Sequence, residues 1–193
     1  MQTDIRALKT HLRGEYRAKR TALLPEEKQR RDTAVAQAVK RLWQYCLNDT
    51  ILIYVSTALE VDTRRIMTQA WADGKTVAVP YCIPGTREME FYRIKSFDDL
   101  HDGAFGVQEP TPREENRVSD LSRGLCVIPA LCYDDKGYRL GYGKGYYDRF
   151  LARFGGQRVG LCYRDCLCHT LPHGRFDRAV EVVVTEDGIR KID

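Results

Sequence analysis

The sequence lacks any apolar run long enough to cross a bilayer, and residues 1–20 lack the apolar core of a secretory signal peptide. It also contains no internal repeat and no low-complexity segment. The net charge of +4 over 193 residues is mild, which suits a small polyanion such as a nucleotide and does not by itself indicate a nucleic-acid backbone. We therefore expect a cytoplasmic globular protein without a membrane partner.

The cysteines do not indicate a disulfide framework, because their number is odd, at seven, and no secretory leader is apparent. The pair in the run Cys166-Leu167-Cys168-His169 lies near His173 but has no second half at zinc-finger spacing, so we predict no metal site there. The other five lie in or beside apolar runs and are predicted to be small core side chains: Cys46, Cys82, Cys126, Cys132 and Cys162.

The beginning of the chain predicts two helices. Residues 3–20 have an apolar stripe formed by Ile5, Leu8, Leu12 and Tyr16. Basic residues occupy the neighbouring face: Arg6, Lys9, Arg13, Arg17 and Arg20. A second helix is predicted from Pro25 to about Tyr45, with inward-facing Val35, Val39 and Leu42.

The rest of the chain alternates between strand and helix. Residues 50–56, 61–72 and 76–80 predict a parallel strand–helix–strand unit, and 89–94 predicts a short edge strand. Residues 95–124 are predicted to form a loop. A strand at 125–133, a helix at 145–154 and strands at 158–163 and 179–185 follow. This order predicts a single three-layer α/β/α domain over residues 1–193, with a mostly parallel, mixed sheet and a helical N-terminus.

The stretch GYRLGYGKGYYD at 137–148 is the most unusual part of the sequence. It lacks the Walker A spacing, and the third glycine of a dinucleotide fingerprint would fall on Tyr146. One interpretation is a phosphate site. The backbone N–H groups of the alternating Gly141, Gly143 and Gly145 can bind phosphate. Arg139 and Lys144 would add positive charge, and Asp148 would bind magnesium. The other is a glycine-rich hairpin whose aromatic residues cover the core.

Other charged residues are candidates for ligand binding or for structural roles. Lys9 and Arg13, four residues apart, can grip one phosphate group, or belong to a solvated face or an RNA contact. Glu60 follows the first predicted strand, where it can bind the N–H groups of a heterocycle, whereas Asp62 is expected to cap a helix. Asp177 is either a strand-end acid of the site or a turn residue.

Residues 137–151 resemble the signature of the 5-formyltetrahydrofolate cyclo-ligases, also called 5,10-methenyltetrahydrofolate synthetases. The resemblance covers nearly the whole chain, and three positions differ modestly from the family pattern: Ala130 replaces a frequent glycine, and Tyr142 and Lys144 fill positions that vary between glycine and basic residues. Further segments match in the right order: Lys9-x-x-x-Arg13, 60–63, Gly74-Lys75 with Pro80, Glu109-Pro110, 128–131, Leu171-Pro172, Asp177 and Thr185-Glu186.

The resemblance implies an ATP- and Mg²⁺-dependent closure of 5-formyltetrahydrofolate, with or without a polyglutamate tail, to 5,10-methenyltetrahydrofolate, ADP and phosphate. It implies a monomer that binds no nucleic acid. The implied catalytic residues are Arg139, Lys144 and Tyr146, and the implied metal ligands are Asp148 and Asp177. The implied ATP-binding residues are Lys9, Arg13, Arg139, Gly141, Gly143, Lys144, Gly145 and Tyr147. The implied folate-binding residues are Val55, Glu60, Met89, Tyr146 and Tyr147.

Two other functions remain open from the residues themselves. The mild positive charge and the basic first helix are compatible with an RNA- or nucleotide-binding module that has no catalytic activity. A kinase with the same fold and a different small acceptor would also need a phosphate-binding glycine loop.

Overall fold

The computed structural model of the chain describes residues 5–103 and 106–192. Helix α1 covers Ile5–Thr21, so the predicted helix start at residue 3 lies outside the described residues. Its apolar stripe is only partly buried: Tyr16 is buried, whereas Ile5 and Leu8 are 49% and 37% exposed. Arg20, predicted on the basic face, is buried instead and donates to the carbonyls of two distant segments, at Leu59 and at 130–131.

The second predicted helix is two helices, α2 (Pro25–Lys40) and α3 (Trp43–Leu47). The extended backbone of Leu42 separates them, and Val35, Val39 and Leu42 are buried as predicted. The prediction that Cys46 belongs to the core is wrong, because α3 buries Gln44 and Tyr45 and leaves Cys46 exposed.

The main sheet has seven strands in the order β12-β11-β9-β6-β1-β2-β3. The five central strands are parallel, and antiparallel β3 and β12 form the two edges. This confirms the mostly parallel, mixed sheet and the edge position of residues 89–94. The strands are β1 (Thr50–Ile53), β2 (Thr76–Cys82), β3 (Met89–Ile94), β6 (Leu125–Pro129), β9 (Gln157–Leu161), β11 (Val182–Thr185) and β12 (Gly188–Lys191).

Two smaller sheets flank the main one. Strand β7 (Cys132–Asp134) pairs with β8 (Arg139–Leu140) and β10 (Leu167–Cys168), so the strand predicted at 125–133 is wrong as one element: it breaks after Pro129. The predicted loop at 95–124 contains the antiparallel pair β4 (Leu100–Asp102) and β5 (Gln108–Pro110).

Helices cover both faces of the main sheet. Helix α4 (Arg64–Ala72) lies in the crossover from β1 to β2, and α2 packs on α4 and on β11. Helix α5 (Tyr146–Leu151) lies in the crossover from β6 to β9, which runs towards the opposite edge. Because such crossovers are right-handed, α4 and α5 lie on opposite faces. The predicted three-layer α/β/α architecture is therefore confirmed.

The small sheet of β7, β8 and β10 packs closely on the main sheet. A Cβ atom at Gly160 of β9 would lie 2.3 Å from Cζ of Tyr133, so the glycine leaves room for this ring. Tyr133 also donates to the carbonyl of Ile128 at 2.9 Å. This packing fixes the hairpin that leads into the glycine stretch. Within the described ranges, no helix has the length and apolar character needed to cross a membrane.

Candidate active site

A cleft of about 600 Å³ opens at the carboxyl ends of β1, β2 and β6. This is where open α/β sheets bind ligands. Every residue that the sequence assigned to ligand binding lies on its wall: Lys9, Arg13, Val55, Glu60, Met89, Arg139, Gly141, Gly143, Lys144, Gly145, Tyr146, Tyr147, Asp148 and Asp177. The fold thus brings together residues from the first helix to the last loop before β11.

The glycine stretch forms the side of the cleft between β8 and α5. Gly143 and Gly145 have φ angles of 93° and 78°. Residues with a Cβ atom adopt this backbone conformation only at a cost in free energy. A Cβ atom at Gly143 would lie 3.1 Å from Cζ of Arg13. The glycines therefore allow both the path of the chain and the approach of a cation from α1.

Arg139 and Asp148 form an ion pair at the base of this loop. Arg139 is buried and also donates to the Arg178 carbonyl at 2.7 Å. The residue predicted to bind phosphate and one predicted metal ligand are thus partners of each other. The carboxylate of Asp148 thus compensates the positive charge of the buried Arg139 guanidinium.

Helix α1 contributes two cations that also have protein partners. Lys9 donates to Asp177 at 3.0 Å, and the Arg13 Nε donates to the Gly141 carbonyl at 2.9 Å. Burial tends to raise the pKa of Asp177, but hydrogen bonds from the Gly174 N–H and from Lys9 outweigh it and hold the pKa below its usual range. Asp177 is therefore ionised near neutral pH, and it lies both in a turn and in the cleft.

Glu60 forms an acidic end of the cleft together with tyrosines. Its Oε2 accepts from the backbone N–H and the hydroxyl of Thr57 at 2.8 and 3.0 Å, and the side chain is 6% exposed. Burial raises the pKa of Tyr142, and the negative charge of Glu60 raises it further. Within the described chain, the hydroxyls of Tyr142 and Tyr147 are buried without a hydrogen-bond partner. This end can therefore bind a flat polar ring that offers both donors and acceptors.

The expected helix cap is present beside this end of the cleft. The Asp62 carboxylate accepts from the Arg64 N–H, at the start of α4, at 3.0 Å. The helix begins at Arg64 and not at residue 61, and Thr63 occupies its N-cap position.

The sequence did not single out two charged residues of the cleft. Glu109 is 6% exposed and accepts from the Cys82 N–H at 3.2 Å; burial, followed by the charge of Glu109, raises the pKa of Cys82 to about 12. Arg17 lies over the Tyr142 ring, 5.8 Å from its centre. Arg17 follows Arg13 by four residues on the same helix face, and this spacing could have indicated its place in the cleft. For Glu109, the Glu109-Pro110 match to the family pattern could have done so.

The described residues contain no group of three or more His, Cys, Asp or Glu side chains arranged to hold a metal ion. Near the segment 166–173, the His173 ring stacks on Tyr138 with centres 3.7 Å apart, and the Cys168 sulfur lies 3.3 Å from that of Cys132. The acids in the main cleft are Glu60, Glu109, Asp148 and Asp177.

A glycine loop, clustered cations, buried acids and tyrosines line a cleft at the carboxyl edge of a parallel sheet, the position of the active site in α/β enzymes. The sequence profile of the 5-formyltetrahydrofolate cyclo-ligase family matches residues 5–186, and the chain belongs to this family. It is therefore a ligase.

Individual relatives agree with this assignment. The chain is 28% identical to a 5-formyltetrahydrofolate cyclo-ligase of Mus musculus, over 95% of this chain and 96% of the relative. It is 29% identical to the enzyme of that name from Escherichia coli, over 88% and 95%. The solved structure of Aquifex aeolicus 5,10-methenyltetrahydrofolate synthetase is similar, with 33% identity, a TM-score of 0.83 and coverage of 96% and 93%.

Proposed function

We propose that this enzyme closes 5-formyltetrahydrofolate to 5,10-methenyltetrahydrofolate and converts ATP to ADP and phosphate. The observation that supports this most directly is that one cleft carries two kinds of lining. Cations and bare glycine backbone line it together with Glu60 and several tyrosines. A polyanion and a flat heterocycle can bind side by side in such a cleft.

The chemistry requires both ligands. N10 of the folate can attack the carbon of the N5-formyl group, but the oxygen leaves poorly from an amide. Transfer of the γ-phosphoryl group to the formyl oxygen turns the departing group into inorganic phosphate. No covalent enzyme intermediate is needed, so the protein acts by positioning and by charge stabilisation.

The phosphate end is formed by α1 and the glycine loop. Lys9 and Arg13 bind the nucleotide phosphates, and Arg139 and the backbone of 141–145 hold the β- and γ-phosphates. Lys144 stabilises negative charge on the phosphoryl group as it moves. Their position on one wall of the cleft supports these assignments.

The folate end is formed by Val55, Glu60 and Met89. Glu60 accepts hydrogen bonds from pterin N–H groups, and the two apolar side chains cover the ring. Tyr146 and Tyr147 follow the glycine loop directly, where they contact both ligands. The folate is bound with or without its polyglutamate tail.

Asp148 and Asp177 are the residues that would hold Mg²⁺. Magnesium in nucleotide sites is bound by one or two carboxylates together with substrate phosphates, so two acids that line one cleft are a sufficient protein contribution. When bound, the ion would neutralise charge on the phosphate oxygens. The protein's part is to position the two carboxylates: Asp148 is paired with Arg139, and Asp177 is paired with Lys9.

The test is a spectrophotometric assay with 5-formyltetrahydrofolate, ATP and MgCl₂. We expect the near-ultraviolet absorbance of the methenyl product to grow only when ATP is present, with one ADP formed per product. ADP without the chromophore would indicate a kinase for another acceptor and would overturn the proposal.

We also propose that the enzyme is a cytoplasmic monomer with one domain. Sedimentation equilibrium at several protein concentrations tests the monomer: a mass that stays at 22.2 kDa supports it, and a mass that rises with concentration contradicts it.

A further inference from the structure

Glu109 is a buried acid in the cleft that the proposed reaction has not yet used. It lies on β5 and is 6% exposed. Burial of a carboxylate is costly unless its charge is compensated or used. The structure leaves space for this side chain: a Cβ atom at Gly103 would lie 2.6 Å from both Cγ and Oε2 of Glu109.

Glu109 lines the same cleft as Glu60, Met89 and the glycine loop. Its Oε1 accepts from the N–H of Cys82, which pairs with Met89 on the neighbouring strand. Tyr146 lines the same cleft. Tyr146 immediately follows Gly145, the last glycine of the loop.

The reaction contains a proton transfer for which no acceptor has been assigned. N10 carries a hydrogen in 5-formyltetrahydrofolate and none in the methenyl product. Once N10 has attacked the formyl carbon, its N–H becomes strongly acidic, so even a weakly basic carboxylate can accept the proton. A dry cleft wall slows the loss of this proton to bulk water.

On the basis of the proposed function, we propose that Glu109 is the proton acceptor for N10. Of the four acids that line the cleft, Asp148 and Asp177 are assigned to the metal, and Glu60, which accepts from Thr57, is assigned to the pterin ring. Glu109 is the remaining acid. Glu109 lines the cleft together with Met89 and Tyr146, which are assigned to the folate.

The step is balanced in atoms and charge. Phosphoryl transfer breaks the bond between the γ-phosphorus and the β-bridging oxygen and forms a bond from phosphorus to the formyl oxygen. N10 then forms a bond to the formyl carbon and its proton passes to the Glu109 carboxylate. The carbon–oxygen bond breaks, its electron pair leaves with phosphate, and Glu109 later returns the proton to water. No oxidant or reductant takes part.

Rapid-quench kinetics of Glu109→Gln test the assignment, with Glu90→Gln on the adjacent β3 as a matched control outside the cleft. We expect kcat of Glu109→Gln to fall about 100-fold to 1000-fold, the range for loss of a general base, with KM values for both substrates nearly unchanged. ADP should form in the first turnover at close to the wild-type rate, while the chromophore appears slowly. Glu90→Gln should behave like the wild type.

Chemical rescue distinguishes a proton acceptor from a structural side chain. In Glu109→Ala, added formate should restore part of kcat, because it can occupy the space and accept the proton. If Glu109→Gln fails to fold by circular dichroism, Glu109→Asp retains the carboxylate and should retain more activity than Glu109→Ala.

The outcomes separate this inference from the proposed function. An absent chromophore with the wild-type enzyme overturns both. With an active wild type, a raised folate KM at unchanged kcat, equal slowing of ADP and chromophore formation, or no rescue by formate each overturns the role of Glu109 alone.

Discussion

At the scale of single residues, charged side chains of the cleft form hydrogen bonds and ion pairs with other groups of the protein. Lys9 is paired with Asp177, and Arg139 with Asp148, while Arg13 is bound to a carbonyl of the glycine loop. The partners lie far apart in the sequence: Lys9 and Asp177 are separated by 168 positions. A resemblance between sequences can identify such residues, but it cannot show which pairs form, because pairing depends on the folded distances.

Removal of either cation of α1 should weaken nucleotide binding. We expect Lys9→Ala and Arg13→Ala each to raise the dissociation constant for ATP about 10-fold to 150-fold, since each loses one charge-assisted contact worth about 1.5–3 kcal/mol. Isothermal titration calorimetry measures this change. Lys19→Ala, an exposed cation of the same helix, is the control. Wild-type affinity in both cleft variants would mean that this face of α1 is only solvated.

Asp148→Asn should affect both stability and magnesium dependence. The variant leaves the buried Arg139 without its anionic partner, so we expect the free energy of unfolding to fall by about 1–3 kcal/mol, less than for a fully buried pair because Asp148 is partly exposed. Urea unfolding measures the loss. Turnover should also fall strongly and require more MgCl₂ for half-maximal rate. With the exposed Asp120→Asn as control, an unaltered magnesium titration in Asp148→Asn would contradict the metal role.

At the scale of secondary-structure elements, the continuous apolar run at 125–133 misled the sequence analysis. The chain turns out of the main sheet after Pro129. The carbonyls of Ala130 and Leu131 there accept hydrogen bonds from the Arg20 guanidinium and not from a neighbouring strand. This contact crosses more than a hundred positions, so no local pattern reveals it. Strand β12 was missed for a different reason, since its side chains are mostly exposed and show no apolar alternation.

The glycine loop allows a paired test of backbone strain and ligand contact. Gly143→Ala should cost about 1–2 kcal/mol of stability because of its positive φ, and should disturb Arg13. Gly141→Ala meets no atom within 4 Å and should retain stability. We nevertheless expect weaker ATP binding in both, because the phosphates approach this backbone closely. Thermal unfolding with and without ATP measures both effects, and full binding by Gly141→Ala would show that the ligand does not approach there.

At the scale of the whole molecule, Arg31 connects the second helix to the end of the chain. It contacts Glu27 at 2.6 Å, Asp165 at 2.8 Å and Glu186 at 2.9 Å. Hydrogen bonds from Arg30 and then Arg31 lower the pKa of Glu27 to about 2. The alternation of helices and strands was predictable from periodicity, but this network was not, because its members are spread over most of the sequence.

The Glu27 network predicts the direction of acid destabilisation. The folded pKa lies below that of the unfolded chain, so the carboxylate contributes stability above the unfolded value of 4.5 and loses it as the pH falls towards about 2. We expect the unfolding temperature to fall over this interval, and to fall less in Glu27→Gln. Calorimetry at several pH values measures it, with Glu26→Gln from the same helical turn as control. Parallel curves for the wild type and Glu27→Gln would contradict the prediction.

The paired charges also have a consequence for how ligands enter the cleft. A magnesium–phosphate unit is itself a cation joined to an anion, so it can be bound by partner exchange: the carboxylates turn to the metal while lysine and arginine turn to the phosphate. The number of compensated charges then stays constant throughout. Metal and nucleotide should accordingly promote each other's binding. The metal alone would leave the lysine and arginine without an anionic partner, and the nucleotide alone would leave the carboxylates without a cationic one.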